Sequence, residues 1–286
     1  PLLPAFLWAW FKIWGNSLIS LKFLTWIIVT ATDILFYFVA ARIFPKSRFI
    51  PISLILYILL MTALGGNSLW FDLLIAPLFL ITYYLLSQKK FFSAGVVLGL
   101  ALLTKQLSLV AAVPVYFMLR PSRQHFLILV KGVLTVLFPA ILFLAVTGVF
   151  PDFFSWAVSF PSTIARHSFQ LPQGRSLLLV AAIFLAFLTQ LRTNPNISYW
   201  GLASLVFIYP RFELFHLQPT LPFLALIFAN PKIFRARLSL AALAIFLLIS
   251  IRQITRDYNQ PDRFYEDSTI AISVWIKSHT QPNEKI

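Results

Sequence analysis

A chain of 286 residues in which 59% of side chains are hydrophobic and only 11% are charged is matched to lipid, because soluble domains carry roughly 25% charged residues. The formal net charge of +14 would suggest nucleic acid in a soluble protein. Here much of the excess falls in short loops between apolar runs, where it sets orientation and meets anionic headgroups, so nucleic acid is not a partner. The absence of cysteine excludes disulfides and thiolate chemistry.

The chain opens on an aromatic stretch, residues 1–11, too short to span a bilayer and suited to a helix lying in the interface. It starts at Pro1 without Met or a signal-peptide pattern, so it reads as part of a longer protein. Ten apolar spans follow, at 17–41, 49–64, 70–87, 91–103, 107–119, 126–147, 176–191, 197–210, 217–230 and 237–251. Those of 13 to 16 residues, at about 1.5 Å per residue, fall short of a hydrocarbon core of about 30 Å. The loop charges decide for them. Basic connections occur at Arg42, Lys46 and Arg48; Lys89 and Lys90; Arg120 and Arg123; Arg192; and Lys232, Arg235 and Arg237. All lie on the inner side, by the positive-inside rule, only if residues 91–119 split at Thr104, Lys105 and Gln106. Eight of the nine carboxylates can then be placed opposite the basic clusters.

A split there predicts a cavity near Lys105, since broken helices are tolerated at membrane depth where their ends line a wet site. Pro114, Pro139, Pro219 and Pro222 predict bent or interrupted helices. The outer face comprises 1–16, 65–69, 104–106, 148–175, 211–216 and the tail from 252. In that tail Glu266, Asp267 and Ser268 precede Ile270, Ala271, Val274 and Trp275, the pattern of a capped amphipathic helix. The expected organisation is an all-α polytopic bundle of about ten crossings over 1–251, and the beginning of an external soluble domain over 252–286.

Lys105 between two apolar runs would neutralise a phosphate or snorkel to the headgroups. Asp72, near the outer start of its span, would hold a sugar hydroxyl, a divalent metal or a basic partner, or complement the helix dipole. Asp33 is mid-span, where pairing with a hydroxyl such as Thr30 is expected. The long loop 148–175 carries Phe150, Phe153, Phe154, Trp156 and Phe160, then Arg166, His167 and Arg175. Rings beside guanidinium groups suit a lipid-linked phosphorylated ligand, or an ordinary interfacial belt. Residues 209–219 are the densest polar stretch at membrane depth. Arg211 and Glu213 would pair, or would form one site with His216, placed close to the N-terminus of a helix starting near Leu217.

Four stretches carry a family resemblance. The run at 94–105, AGVVLGLALLTK, resembles the "AG-LLGLA-LTK" segment of GT-C glycosyltransferases, especially the family 39-like group with protein mannosyltransferases and the lipid A aminoarabinose transferase. Pro1-Leu2 with Trp14-Gly15-Asn16-Ser17 is similar to that group's "PPL…FG-S", residues 211–222 to its "R-E-YHLLP-LP", and residues 272–277 to the "A-WI" opening of its external domain. The resemblance implies transfer of a sugar from a polyprenyl-phosphate donor to a lipid, glycan or protein acceptor, outside a bacterial or archaeal plasma membrane. It also implies an acidic general base in a first external loop, upstream of Pro1. Lys105 would contact the donor phosphate, with Arg211, Glu213 and His216 around donor or acceptor and Asp72 as a second acidic residue. No cofactor is certain; a divalent metal is left open. A lipid-linked oligosaccharide ligase or polymerase, and a flippase for a lipid-linked anion, are the alternatives. The flippase calls for polar residues through the membrane, where only Lys22 and Asp33 qualify.

Overall fold

A helix satisfies its interior backbone N–H and C=O groups within its own segment, which suits a chain this apolar. The computed structural model describes residues 2–65, 69–119, 122–160, 163, 169–230, 237–259, 275 and 278–279, and among them it is helical, without a β-strand. The helices are α1 (Leu2–Trp14), α2 (Leu18–Ile43), α3 (Ile50–Ala63), α4 (Phe71–Ser87), α5 (Phe91–Thr104), α6 (Ala112–Leu119), α7 (Arg123–Val146), the short α8 (Phe150–Phe154), α9 (Arg175–Gln190), α10 (Pro195–Ser204), α11 (Leu221–Ala229) and α12 (Arg237–Asn259). Three 3₁₀ turns, Gln106–Ala111, Leu205–Ile208 and Leu214–Thr220, abut α6, α10 and α11. A helical segment coincides with every predicted apolar span. By length and composition, α2 and α7 suffice to cross a membrane, and the remaining apolar helices are shorter.

Helix direction follows from matched contacts. Phe91 stacks on His125 at 4.2 Å, Gly95 faces Leu129, and Gly99 faces Val133 and Val136. α5 and α7 therefore run parallel and pack directly on each other, so the intervening residues 106–119 run back along the bundle after the break at Lys105. The pair is close because three glycines line it. A Cβ on Gly95 would lie 2.1 Å from the Leu129 carbonyl oxygen, and one on Gly132 would lie 2.2 Å from that of Phe92. Small residues of this kind let helix backbones touch where hydrophobic driving force is weak. Gly95→Ala gains about 1 kcal/mol of helix propensity but meets backbone that cannot rotate away, and overpacking costs about 1–3 kcal/mol. A lowered unfolding temperature in detergent is expected; an unchanged or raised one would show that the two helices separate freely.

α11 is buried along its whole length, in keeping with a sequence apolar on every side. Around it Trp200 packs edge-on to Phe79 at 5.3 Å and stacks on Phe223 at 5.5 Å, while its indole N–H donates to Met118 Sδ at 3.2 Å. Phe36 stacks on Tyr57 at 4.9 Å. At the basic-loop end, Ser47 Oγ donates to the Ala229 carbonyl at 2.6 Å and Asn230 Nδ2 to Asn194 Oδ1 at 3.0 Å.

Four details add to or change these expectations. α7 continues through Pro139 without interruption. α12 runs on to Asn259, eight residues beyond the end of its apolar run at 251, because no Gly or Pro intervenes before Pro261. α1 is anchored to α2 by Trp10, whose Nε1–H donates to Ser20 Oγ at 2.9 Å. Asp33 does not pair with Thr30: its Oδ1 is buried with no partner among the described residues, as is the Tyr57 hydroxyl. The predicted helix beginning at 266 lies outside the described residues, apart from single positions.

Candidate functional site

At the end of the bundle opposite Ser47, three chain breaks converge. α4 begins after the extended Trp70 and carries Asp72 in its first turn. α5 stops at Thr104, and Lys105 turns extended before the 3₁₀ turn that follows. Ser108 Oγ locks that break by donating to the Ala101 carbonyl at 3.0 Å. Glu213 is extended as well, and the 3₁₀ turn after it sets His216 with its backbone N–H on the Glu213 carbonyl at 3.0 Å.

The side chains of these breaks meet on Asp72. Lys105 Nζ lies 2.8 and 3.0 Å from its two oxygens, and His216 Nδ1 lies 2.9 Å from Oδ2. Asp72 is 2% exposed, Lys105 21% and His216 18%. A carboxylate so deep is costly unless paired and hydrogen-bonded, and the ammonium, the imidazole and the helix N-terminus together meet that need. Lys105 Nζ also sits 5.0 Å over the Phe207 ring. Of the options for Asp72, the basic partner is realised, twice over. Lys105 does not snorkel; it points at Asp72.

Around this centre the loops interlock. Trp70 stacks on Phe215 with centroids 4.8 Å apart and planes 5° from parallel. Gln218 Nε2 donates to the Leu64 carbonyl at 3.3 Å. The long loop is tied down at two points: Gln106 Nε2 donates to the Ala157 carbonyl, and Gln170 makes a single bridge to the 211 strand-like segment through Gln170 N–H to Pro210 O at 3.1 Å and Phe212 N–H to Gln170 O at 2.9 Å. Phe169 and Tyr209 meet beside that bridge at 5.9 Å.

No family model, curated protein or solved structure matches the chain.

Arg211 and Glu213 pair with each other at 3.0 Å on the exposed surface. His216 does not join them. The helix expected near Leu217 begins as a 3₁₀ turn at Leu214 and becomes α-helix only at Leu221, so His216 lies inside the turn and faces Asp72 instead of serving as a helix-terminal anion site. Arg175 is exposed in the first turn of α9 and makes no ion pair among the described residues. Arg166 and His167 lie outside the described residues. The Asp72 oxygens accept from Lys105 and His216, and among the described residues no three His, Cys, Asp or Glu side chains come together.

Sequence reasoning missed the Trp70–Phe215 stack and the role of Phe207. The nearest signal was positional: Trp70 precedes Asp72 by two residues, and Phe215 adjoins His216.

Proposed function

We propose that this chain is the membrane part of a glycosyltransferase that takes a sugar from a polyprenyl-phosphate donor at the outer face. The observation that carries the reading is the convergence of Lys105 and His216 on buried Asp72, at the bundle end where the carboxylate-bearing, basic-poor loops meet. Exposed Arg211 supplies a guanidinium suited to a phosphodiester at headgroup level, and fixed cations there favour a departing phosphate. Lys105 orders the site through Asp72. The reading calls for a general base, and the carboxylates of this site are occupied: Asp72 has two partners and Glu213 has Arg211.

The same reading places about ten crossings in the bilayer with the basic loops inside. Since the chain has no cysteine, single replacements report sidedness directly. Asn16→Cys, Thr147→Cys and Gln173→Cys should react with an impermeant maleimide on intact cells, and Gln88→Cys and Thr193→Cys only after permeabilisation. Reaction of Gln88→Cys from outside would overturn the orientation.

Donor binding tests the activity. Arg211→Ala should weaken binding of a polyprenyl-phosphate hexose about tenfold while folded yield holds, because an exposed ion pair contributes only about 0–1 kcal/mol to stability. Glu213→Ala, which frees Arg211, should hold or improve binding. Normal binding by Arg211→Ala would remove Arg211 from the donor site.

A flippase for a lipid-linked anion is the second reading. Its support is the Asp33 Oδ1 and Tyr57 hydroxyl, buried inside the bundle with no hydrogen-bond partner among the described residues.

A further inference from the structure

We infer that Trp70, Phe215 and His216 form a carbohydrate subsite that holds the donor's sugar ring, separate from whatever grips its phosphate. The inference rests on the glycosyltransferase reading and names what this corner of the site recognises.

Lys105 holds both oxygens of Asp72, and an ionised carboxylate can only accept. The 2.9 Å contact from Oδ2 to His216 Nδ1 therefore needs the imidazole hydrogen on Nδ1. In neutral imidazole the other nitrogen, Nε2, is left as an acceptor. Among the described residues Nε2 has no hydrogen-bond partner, and the side chain is 18% exposed, so the acceptor is open to a ligand. A sugar hydroxyl can meet Nε2 in either protonation state, donating to its lone pair or accepting from its N–H, whereas a phosphodiester has no proton for the lone pair.

The aromatic pair supplies the other half of carbohydrate recognition. A sugar ring has an apolar C–H face edged by hydroxyls, so it is matched by a flat ring with a polar group at its rim. Trp70 is 47% exposed and so offers ring area beyond what its 4.8 Å stack on Phe215 covers. Phe215 in turn lies 4.4 Å from the His216 ring. The three side chains make one continuous patch whose polar member is oriented by Asp72. An interfacial aromatic belt needs rings at headgroup depth, but it does not need a histidine fixed by a buried ion pair beside them.

The test compares two probes on the full chain in nanodiscs: polyprenyl phosphate, and the same lipid phosphate carrying mannose. His216→Asn keeps an amide N–H for Asp72 and removes the Nε2 acceptor; Trp70→Leu removes the platform at an exposed position and should leave folding intact. Each variant is expected to weaken the mannosyl lipid about tenfold, the equivalent of about 1.4 kcal/mol, and to leave the sugarless lipid unchanged. Equal loss for both probes, or no loss for either, overturns the subsite while leaving the glycosyltransferase reading in place. Wild-type chain that binds neither probe overturns the glycosyltransferase reading, and the subsite with it.

Discussion

Lys105→Ala should destabilise the protein more than Asp72→Asn. Removing the lysine leaves a carboxylate that is 2% exposed with His216 as its remaining side-chain partner among the described residues, and breaking a buried pair from one side costs about 3–5 kcal/mol. Asparagine, by contrast, keeps an oxygen for the Lys105 ammonium and offers an N–H to His216, whose ring can adopt the other tautomer. The double variant Lys105→Met with Asp72→Asn strands no charge, so it should recover much of the loss. Unfolding midpoints and folded yields in detergent decide it. Losses that simply add would show that the two side chains act independently, against the 2.8 Å geometry.

Trp200→Ala should have a comparable effect for a different reason. The side chain is fully buried between Phe79 and Phe223, and no rigid helix can move in to fill the space it would leave. Truncating a buried tryptophan costs about 3–5 kcal/mol, much of it through lost packing contacts. Trp26, more than half exposed on α2, is the control: its alanine variant should change the unfolding midpoint little. Equal effects at the two positions would mean that the bundle is loosely packed.

These expectations draw on features that the sequence revealed unequally. The apolar spans were legible because their boundaries coincide with charges and prolines, and the helices fall where hydropathy puts them. The break at Lys105 was legible too, because only a reversal there keeps Lys89, Lys90 and Arg123 on one side. The partners of Lys105 were not. Asp72 lies 33 residues from Lys105 and 144 from His216, and no local pattern links positions brought together only by helix packing. Local density suggested one cluster at Arg211, Glu213 and His216, and it could not show that His216, set in a 3₁₀ turn, hydrogen-bonds Asp72 while Arg211 pairs with Glu213. The glycines of 94–105 stood out as part of a family-like run, while their close fit against Gly132 and Leu129 depends on a helix that begins nearly 20 residues later.

The three 3₁₀ turns flank residues of the same centre: Gln106 follows Lys105, Leu205–Ile208 contains Phe207, and Leu214–Thr220 contains His216. Such winding advances about 2.0 Å per residue, against about 1.5 Å in an α-helix. Over the 6 residues of Gln106–Ala111 and the 7 of Leu214–Thr220, that adds about 3 Å of reach to each segment. The gain falls on segments that are short for a bilayer. Tight winding thus has two outcomes at once, bringing a lysine, an aromatic ring and a histidine to one point while lengthening the rods that carry them. Any substitution that relaxed one of these turns to α-helix would withdraw its side chain from the centre and shorten its rod in the same step.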